Sequence, residues 1–188
     1  QLTLNIEIKQ ENKKKERKYI GRYQVDHYYP KSKFPFLSIA LFNLYPVCAS
    51  CNLAKRENHV DFQLYENSGN IDFNQMSFRL DQSKKAKFVL SRDIKDISYK
   101  FHNRNNPKYD NIFHINEIYK TQKDIAEEIF LKSLAYDRNL RKHLIETGIV
   151  NDAIINRIIL GTYASPHDVH KRPMSKFMQD IGKEVGLI

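Results

Sequence analysis

The sequence predicts an α+β fold, with short strands in its first half and helices in its second. Three patterns carry the prediction. Leu2, Leu4, Ile6 and Ile8 alternate with polar residues, the two-residue period of a half-buried strand. Ile71, Phe73, Met76, Phe78 and Leu80 alternate again, with one slip of phase at Asn74-Gln75 that a bulge would absorb. From Ile115 onward the period lengthens to that of helices with one apolar face. A chain of 188 residues can bury a hydrophobic core and suits one domain or a small core with a helical extension. We divide it into residues 1–66 and 67–188, packed as one unit.

Residues 2–8 are read as the first strand. Residues 9–18, KQENKKKERK, hold six Lys or Arg and no aliphatic side chain, so they cannot enter a core. They read as a solvated loop or as a basic arm along a nucleic-acid backbone. Tyr23 to Tyr29, with β-favouring Tyr and Val, is a strand that Pro30 ends. Phe34 to Phe42 is apolar and aromatic, and is expected to form a short helix or turn packed beneath Asp26 and His27. Leu44 to Val47 is a second strand, which Pro46 restricts to a sheet edge or a bulge. Ser50 to Glu57 is a helix whose basic end, Lys55-Arg56, complements the dipole.

Further along, Phe88-x-Leu90 and Ile97-x-Tyr99-x-Phe101 continue the second alternation into a small antiparallel sheet, and residues 103–111, NRNNPKYDN, are loop by composition. Ile118, Ile125, Ala126, Ile129, Phe130 and Leu134 share one face of a helix. Leu140, Leu144 and Ile145 mark a second helix, ended by Gly148. Asn151 caps a third that carries Ile154, Ile155, Ile158 and Ile159 and closes at Gly161. Pro173, in a first turn, opens a fourth through Met174, Phe177, Met178, Ile181 and Val185.

With 31 Lys and Arg against 22 Asp and Glu, the formal charge is +9, which suits a polyanionic partner. Two cysteines three positions apart do not make a disulfide framework. There is no run of 18 apolar residues and no secretory leader pattern, so a soluble cytoplasmic protein with no membrane partner is expected.

The chemistry concentrates between Tyr23 and Glu57. Asp26-His27 sets a carboxylate beside a base whose ordinary pKa of about 6.5 suits proton transfer at neutral pH. Asn43 and Asn52 add neutral oxygen donors, and Cys48-x-x-Cys51 immediately precedes Asn52. The other histidines, His59, His102, His114, His143, His167 and His170, have no such company.

Asp26-His27, Pro30, Asn43-Leu44 and Cys48-x-x-Cys51-Asn52-x-x-Lys55, in that order, resemble the HNH (His-Me finger, ββα-metal) endonucleases in the variant whose last letter is Asn. The PKS-x-x-P run at residues 30–35 is similar to that of HNH nucleases from bacterial anti-phage systems such as Septu and the retron-linked ones. The resemblance covers about 35 residues and implies a ββα-metal core, to which the small sheet and helical half are added. It implies His27 as general base and Asn43 as the residue that holds the hairpin and the base in place. It also implies Asp26 and Asn52 as ligands of one divalent ion, for which hard oxygens favour Mg²⁺ or Mn²⁺. Lys55 and Arg56, one turn beyond Asn52, are placed to contact adjacent phosphates without reading sequence. Many family members carry two Cys-x-x-Cys pairs around a structural zinc. Here residues 11–25 hold no Cys, so a structural Zn²⁺ is not expected, and Cys48 and Cys51 are read as buried thiols filling space behind the helix.

The favoured reading is therefore a metal-dependent endonuclease acting on double-stranded DNA in a prokaryotic defence, restriction or mobile-element setting. Two rivals stand beside it. One is a catalytically silent HNH-like nucleic-acid-binding or scaffold subunit of a defence complex, which would bind without cleaving. The other is a ribonuclease, since a one-metal site does not by itself distinguish the sugar. The helical half exceeds a minimal HNH unit, and the sequence leaves open whether it grips the duplex, forms a homodimer or docks an ATPase partner.

Overall fold

A computed structural model of the chain describes residues 3–6, 21–60, 65, 75–148 and 150–188. The basic stretch 9–18 and the first residues of the second alternation, 71–74, lie outside these. The protein is α+β, with two small antiparallel sheets and a larger helical content among the described residues. Contacts divide it into two compact units, one within residues 1–71 and 111–113, the other within 72–110 and 114–188. Among the described residues, no helix is long and apolar enough to cross a membrane.

In the first unit, β1 (Thr3–Ile6), β2 (Gly21–His27) and β3 (Leu44–Val47) form one sheet in the order β1-β2-β3. Thr3 opposes Gln24 and Ile6 opposes Gly21, while on the other side Gln24 opposes Val47 and His27 opposes Leu44. Strand β3 is an edge, the position in which Pro46 costs no ladder hydrogen bond. Helix α1 (Ala49–Lys55) follows directly. It ends at Arg56, whose positive φ of 49° turns the chain away.

The apolar run 34–42 departs from expectation in part. It forms the expected short turns, two single-turn 3₁₀ segments at Pro35–Leu37 and Leu41–Asn43, but leaves most of its apolar side chains uncovered. Phe36, Ile39, Leu41 and Phe42 are 69–89% exposed. A 3₁₀ turn is too short to present a continuous face, so alternate side chains swing outward. The described part of this unit buries few hydrophobic residues, Tyr28 and Val60 among them.

The second unit holds a contiguous hydrophobic core. Strands β4 (Met76–Leu80) and β5 (Tyr99–Asn103) pair antiparallel, Met76 opposite Asn103 and Leu80 opposite Tyr99. Between them the expected Phe88-x-Leu90 strand is instead α2 (Gln82–Ser91). Asp81 caps it, its carboxylate accepting from the N–H groups of Ser83 and Lys84. In a strand Phe88 and Leu90 would share a face; here Phe88 is fully buried and Leu90 is 86% exposed, as residues two apart on a helix diverge.

Residues 103–111 end in helix rather than loop, as α3 (Tyr109–Phe113). The helical pattern from Ile115 is broken into α4 (Ile115–Tyr119) and α5 (Lys123–Ala135). Ile118 falls outside the shared face and is exposed. Helix α6 (Arg138–Glu146) is capped by Asp137, and α7 (Asp152–Leu160) by Asn151, whose Oδ1 accepts from Ile154 N–H at 2.9 Å; Gly161 closes α7 with φ 79°. The last helix, α8 (Ser175–Glu184), begins two residues after Pro173 because Met174 takes the left-handed conformation.

Phe78, Phe88, Ile129, Leu160, Phe177 and Ile181 meet in this core. Gly182 lets α8 approach α7: a Cβ there would lie 2.8 Å from Leu160 Cδ1. Asp180 joins sheet to helix by accepting from Phe78 N–H at 2.9 Å and from Lys176. Burial nevertheless pushes the Asp180 carboxyl above its ordinary range.

Candidate functional site

Strand period and helix period together build the site. Gln24 and Asp26 are two apart on β2 and so share a face, as do Asn52 and Lys55, three apart on α1. The two faces interlock. Asn52 Nδ2 donates to Gln24 Oε1 at 2.7 Å, and Lys55 Nζ makes an ion pair with Asp26 Oδ2 at 2.9 Å. Lys55 also donates to the carbonyl of His27 at 2.9 Å. Asp26 is 8% exposed and Lys55 5%, so the pair is screened from solvent.

This placement differs from the phosphate-contacting role expected of Lys55. Its ammonium turns inward because a buried carboxylate needs a cation nearby. Its neighbour Arg56, beyond the end of α1, is exposed.

His27 closes β2. Its Nε2 lies 3.0 Å from the carbonyl oxygen of Ser38, in the turn between the two 3₁₀ segments. A carbonyl can only accept, so Nε2 carries the proton and Nδ1 of the neutral ring keeps the lone pair. Asn43 fixes this turn. It is 4% exposed, its Oδ1 accepts from Tyr29 N–H at 2.7 Å, and its Nδ2 donates to the carbonyls of Tyr29 (3.2 Å) and Leu37 (2.9 Å). Since Leu37 adjoins Ser38, the amide of Asn43 is one residue removed from the carbonyl that orients the imidazole.

The donor set fits a hard divalent cation. Asp26 Oδ1 accepts from His27 N–H at 2.8 Å and Oδ2 from Lys55, which uses two of about four lone-pair sites on the carboxylate. Because Gln24 takes the Asn52 amide nitrogen, an ion held there would meet the Asn52 carbonyl oxygen. Among the described residues no cluster of three His, Cys, Asp or Glu side chains is found, so any ion there would complete its shell with the Asn52 oxygen, water and substrate.

The cysteines correct the sequence reading. Both are exposed, not buried behind the helix. Cys48 is the N-cap of α1, and its Sγ accepts from Cys51 N–H at 3.3 Å. Its exposure follows from its place at the open end of the helix. That hydrogen bonding with Cys51 holds the Cys48 thiol below its ordinary range, and the same contact with burial pushes Cys51 up to about 11.

Sequence reasoning named Asp26, His27, Asn43 and Asn52 but missed Gln24, the Ser38 carbonyl and the inward role of Lys55. The signal for Gln24 was present, in the i, i+2 spacing to Asp26, whereas Lys55 and Arg56 both fall within helical reach of Asn52. Ser38 acts through its backbone, which no residue type announces. Comparison with protein-family models, with curated proteins and with solved structures finds no match for this chain.

Proposed function

We propose that this chain is a metal-dependent HNH-type endonuclease that hydrolyses phosphodiester bonds in DNA, with β2, β3 and α1 as its ββα-metal core. The observation that carries the reading is the pairing of an oriented base with a hard-oxygen donor set: His27, held through Nε2 by Ser38, stands next to Asp26 on the strand to which Asn52 is tied by Gln24. Nδ1 of His27 takes the proton of a water whose oxygen bonds to phosphorus, and the bond from phosphorus to the departing sugar oxygen breaks, that oxygen leaving with a proton from solvent. Asp26 and the Asn52 carbonyl hold Mg²⁺ or Mn²⁺, which supplies neutralisation of the phosphate and of the departing oxygen. Asn43 keeps the His27 turn rigid, Lys55 keeps the Asp26 carboxylate aligned, and exposed Arg56 contacts a neighbouring phosphate.

A second reading, the silent nucleic-acid-binding scaffold, has one observation in its favour: a lysine ammonium already sits on Asp26. Incubating supercoiled plasmid with the protein and Mg²⁺ or Mn²⁺ separates the two. Nicked or linear product that vanishes with EDTA, with His27→Ala and with Asn52→Ala supports the nuclease. Binding without cleavage, unchanged by His27→Ala, supports the scaffold, and a matched RNA substrate tests sugar preference. Homodimerisation, an ATPase partner and a defence setting remain part of this proposal and are tested by sedimentation and by co-purification.

A further inference from the structure

We propose that Arg157, Lys171 and Arg172, gathered about the ring of Tyr163 in the helical unit, form a second nucleic-acid contact that binds backbone phosphate. The Arg157 guanidinium carbon lies 4.2 Å from the Tyr163 ring centroid, Lys171 Nζ 4.8 Å and Arg172 Cζ 6.0 Å. One cation over a ring is a common packing contact. Three around the same ring repel one another, and among the described residues one carboxylate is ion-paired with them: Asp168, 2.8 Å from Lys171. Among the described residues neither arginine is ion-paired, and Arg172 spends one N–H on the Gly161 carbonyl at 2.8 Å. Two positive charges are therefore uncompensated on exposed side chains.

The shape of the place agrees with its charge. Arg157 and Arg172 line a groove of about 350 Å³ with Gly161, Ile154 and Ile158. Ile154 and Ile158 are 44% and 64% exposed, an aliphatic strip beside two guanidinium forks. A phosphodiester chain presents that pairing in complement, an anion that accepts bidentate hydrogen bonds flanked by the less polar faces of its sugars. A metal cation or a basic partner is excluded by sign. The choice of nucleic acid among anions rests on the nuclease reading above.

The test is fluorescence anisotropy of a labelled DNA duplex, and of its single strand, with the full chain in EDTA across a salt series. Arg157→Ala/Arg172→Ala is expected to weaken binding roughly tenfold or more near physiological salt and to reduce the salt slope by about 2, as loss of two phosphate contacts requires. Arg157→Lys/Arg172→Lys, which keeps both charges, should retain the slope, and this separates loss of contact from loss of fold. Lys84→Ala/Lys100→Ala removes the same charge elsewhere on the unit and should cost far less.

Equal weakening by the arginine and lysine pairs overturns the site, as does failure of the intact chain to bind either oligonucleotide. Tighter, arginine-dependent binding of a labelled poly-glutamate peptide, or displacement by millimolar inorganic phosphate alone, overturns the nucleic-acid assignment. Arginine-dependent binding without cleavage by the intact chain would sink the nuclease reading and leave this one standing, whereas cleavage with arginine-independent binding would do the reverse.

Discussion

Lys55 Nζ lies 2.9 Å from Asp26 Oδ2, inside a contact whose side chains are 6% and 10% exposed. A helix and a strand are thereby joined by a buried ion pair at the centre of the candidate site. Removing one partner leaves the other charged and unsolvated. Lys55→Met is expected to destabilise the protein by about 3–5 kcal/mol in urea denaturation, and Lys55→Met/Asp26→Asn to recover part of that loss. A loss below about 1 kcal/mol would place the pair among ordinary surface contacts.

Asn43 supports three hydrogen bonds from a buried position. Asn43→Ala should cost roughly 2–4 kcal/mol, since each bond contributes about 0.5–1.5 kcal/mol. Asn43→Asp keeps the acceptor for Tyr29 N–H but sets a carboxylate against two carbonyls, so no rescue is expected. A thermal melt that finds Asn43→Asp as stable as the parent would contradict this account.

Gln24 accepts from the Asn52 amide, and so would reach a metal on the Asn52 oxygen only indirectly. On the reading proposed above, Gln24→Ala frees the amide to rotate and should weaken Mn²⁺ binding about 10–100-fold, as loss of a ligand's supporting hydrogen bond does. Calorimetric titration of Mn²⁺ checks it. Unchanged affinity would mean that the Asn52 carbonyl is not a ligand.

Asp96 predicts an acid response. Hydrogen bonds from Lys87 Nζ (2.7 Å) and then Ser91 Oγ (2.6 Å) hold its carboxyl below the ordinary carboxylate value of about 3.9. A folded pKa below the unfolded one means that the contribution is present above the unfolded value and fades as pH falls through the folded one. Asp96→Asn should therefore be less stable than the parent at neutral pH and show a flatter decline below about pH 4. Parallel declines in pH-dependent denaturation would refute the assignment.

The two thiols should differ in reactivity. With Cys48 held low and Cys51 pushed up to about 11, alkylation near neutral pH should mark Cys48 first. Peptide mass spectrometry over a short time course decides it, and equal labelling would show that the hydrogen bond between them does not persist.

The sequence by itself determined the α+β class, the strand through Asp26 and His27, the restriction of the Pro46 strand to an edge or a bulge, and the caps of α7 at Asn151 and Gly161. In each case a local rule suffices: a two-residue period, a missing N–H, a side-chain oxygen or a glycine at a positive φ. It also set apart Asp26, His27, Asn43 and Asn52 as a group, by their order and spacing.

Only tertiary structure decided the rest. Phe88 and Leu90, two apart, read as strand, and the Asp81 cap with burial of Phe88 alone chose helix. The exposure of Phe36, Ile39 and Phe42 depended on how little the turns between β2 and β3 can cover. Lys55 turned inward because Asp26, 29 residues earlier, had to be neutralised where water is excluded. A charge's partner across such a separation is set by the packing of helix on strand, and the residue types along the chain do not encode which of two adjacent cations, Lys55 or Arg56, the packing will bury.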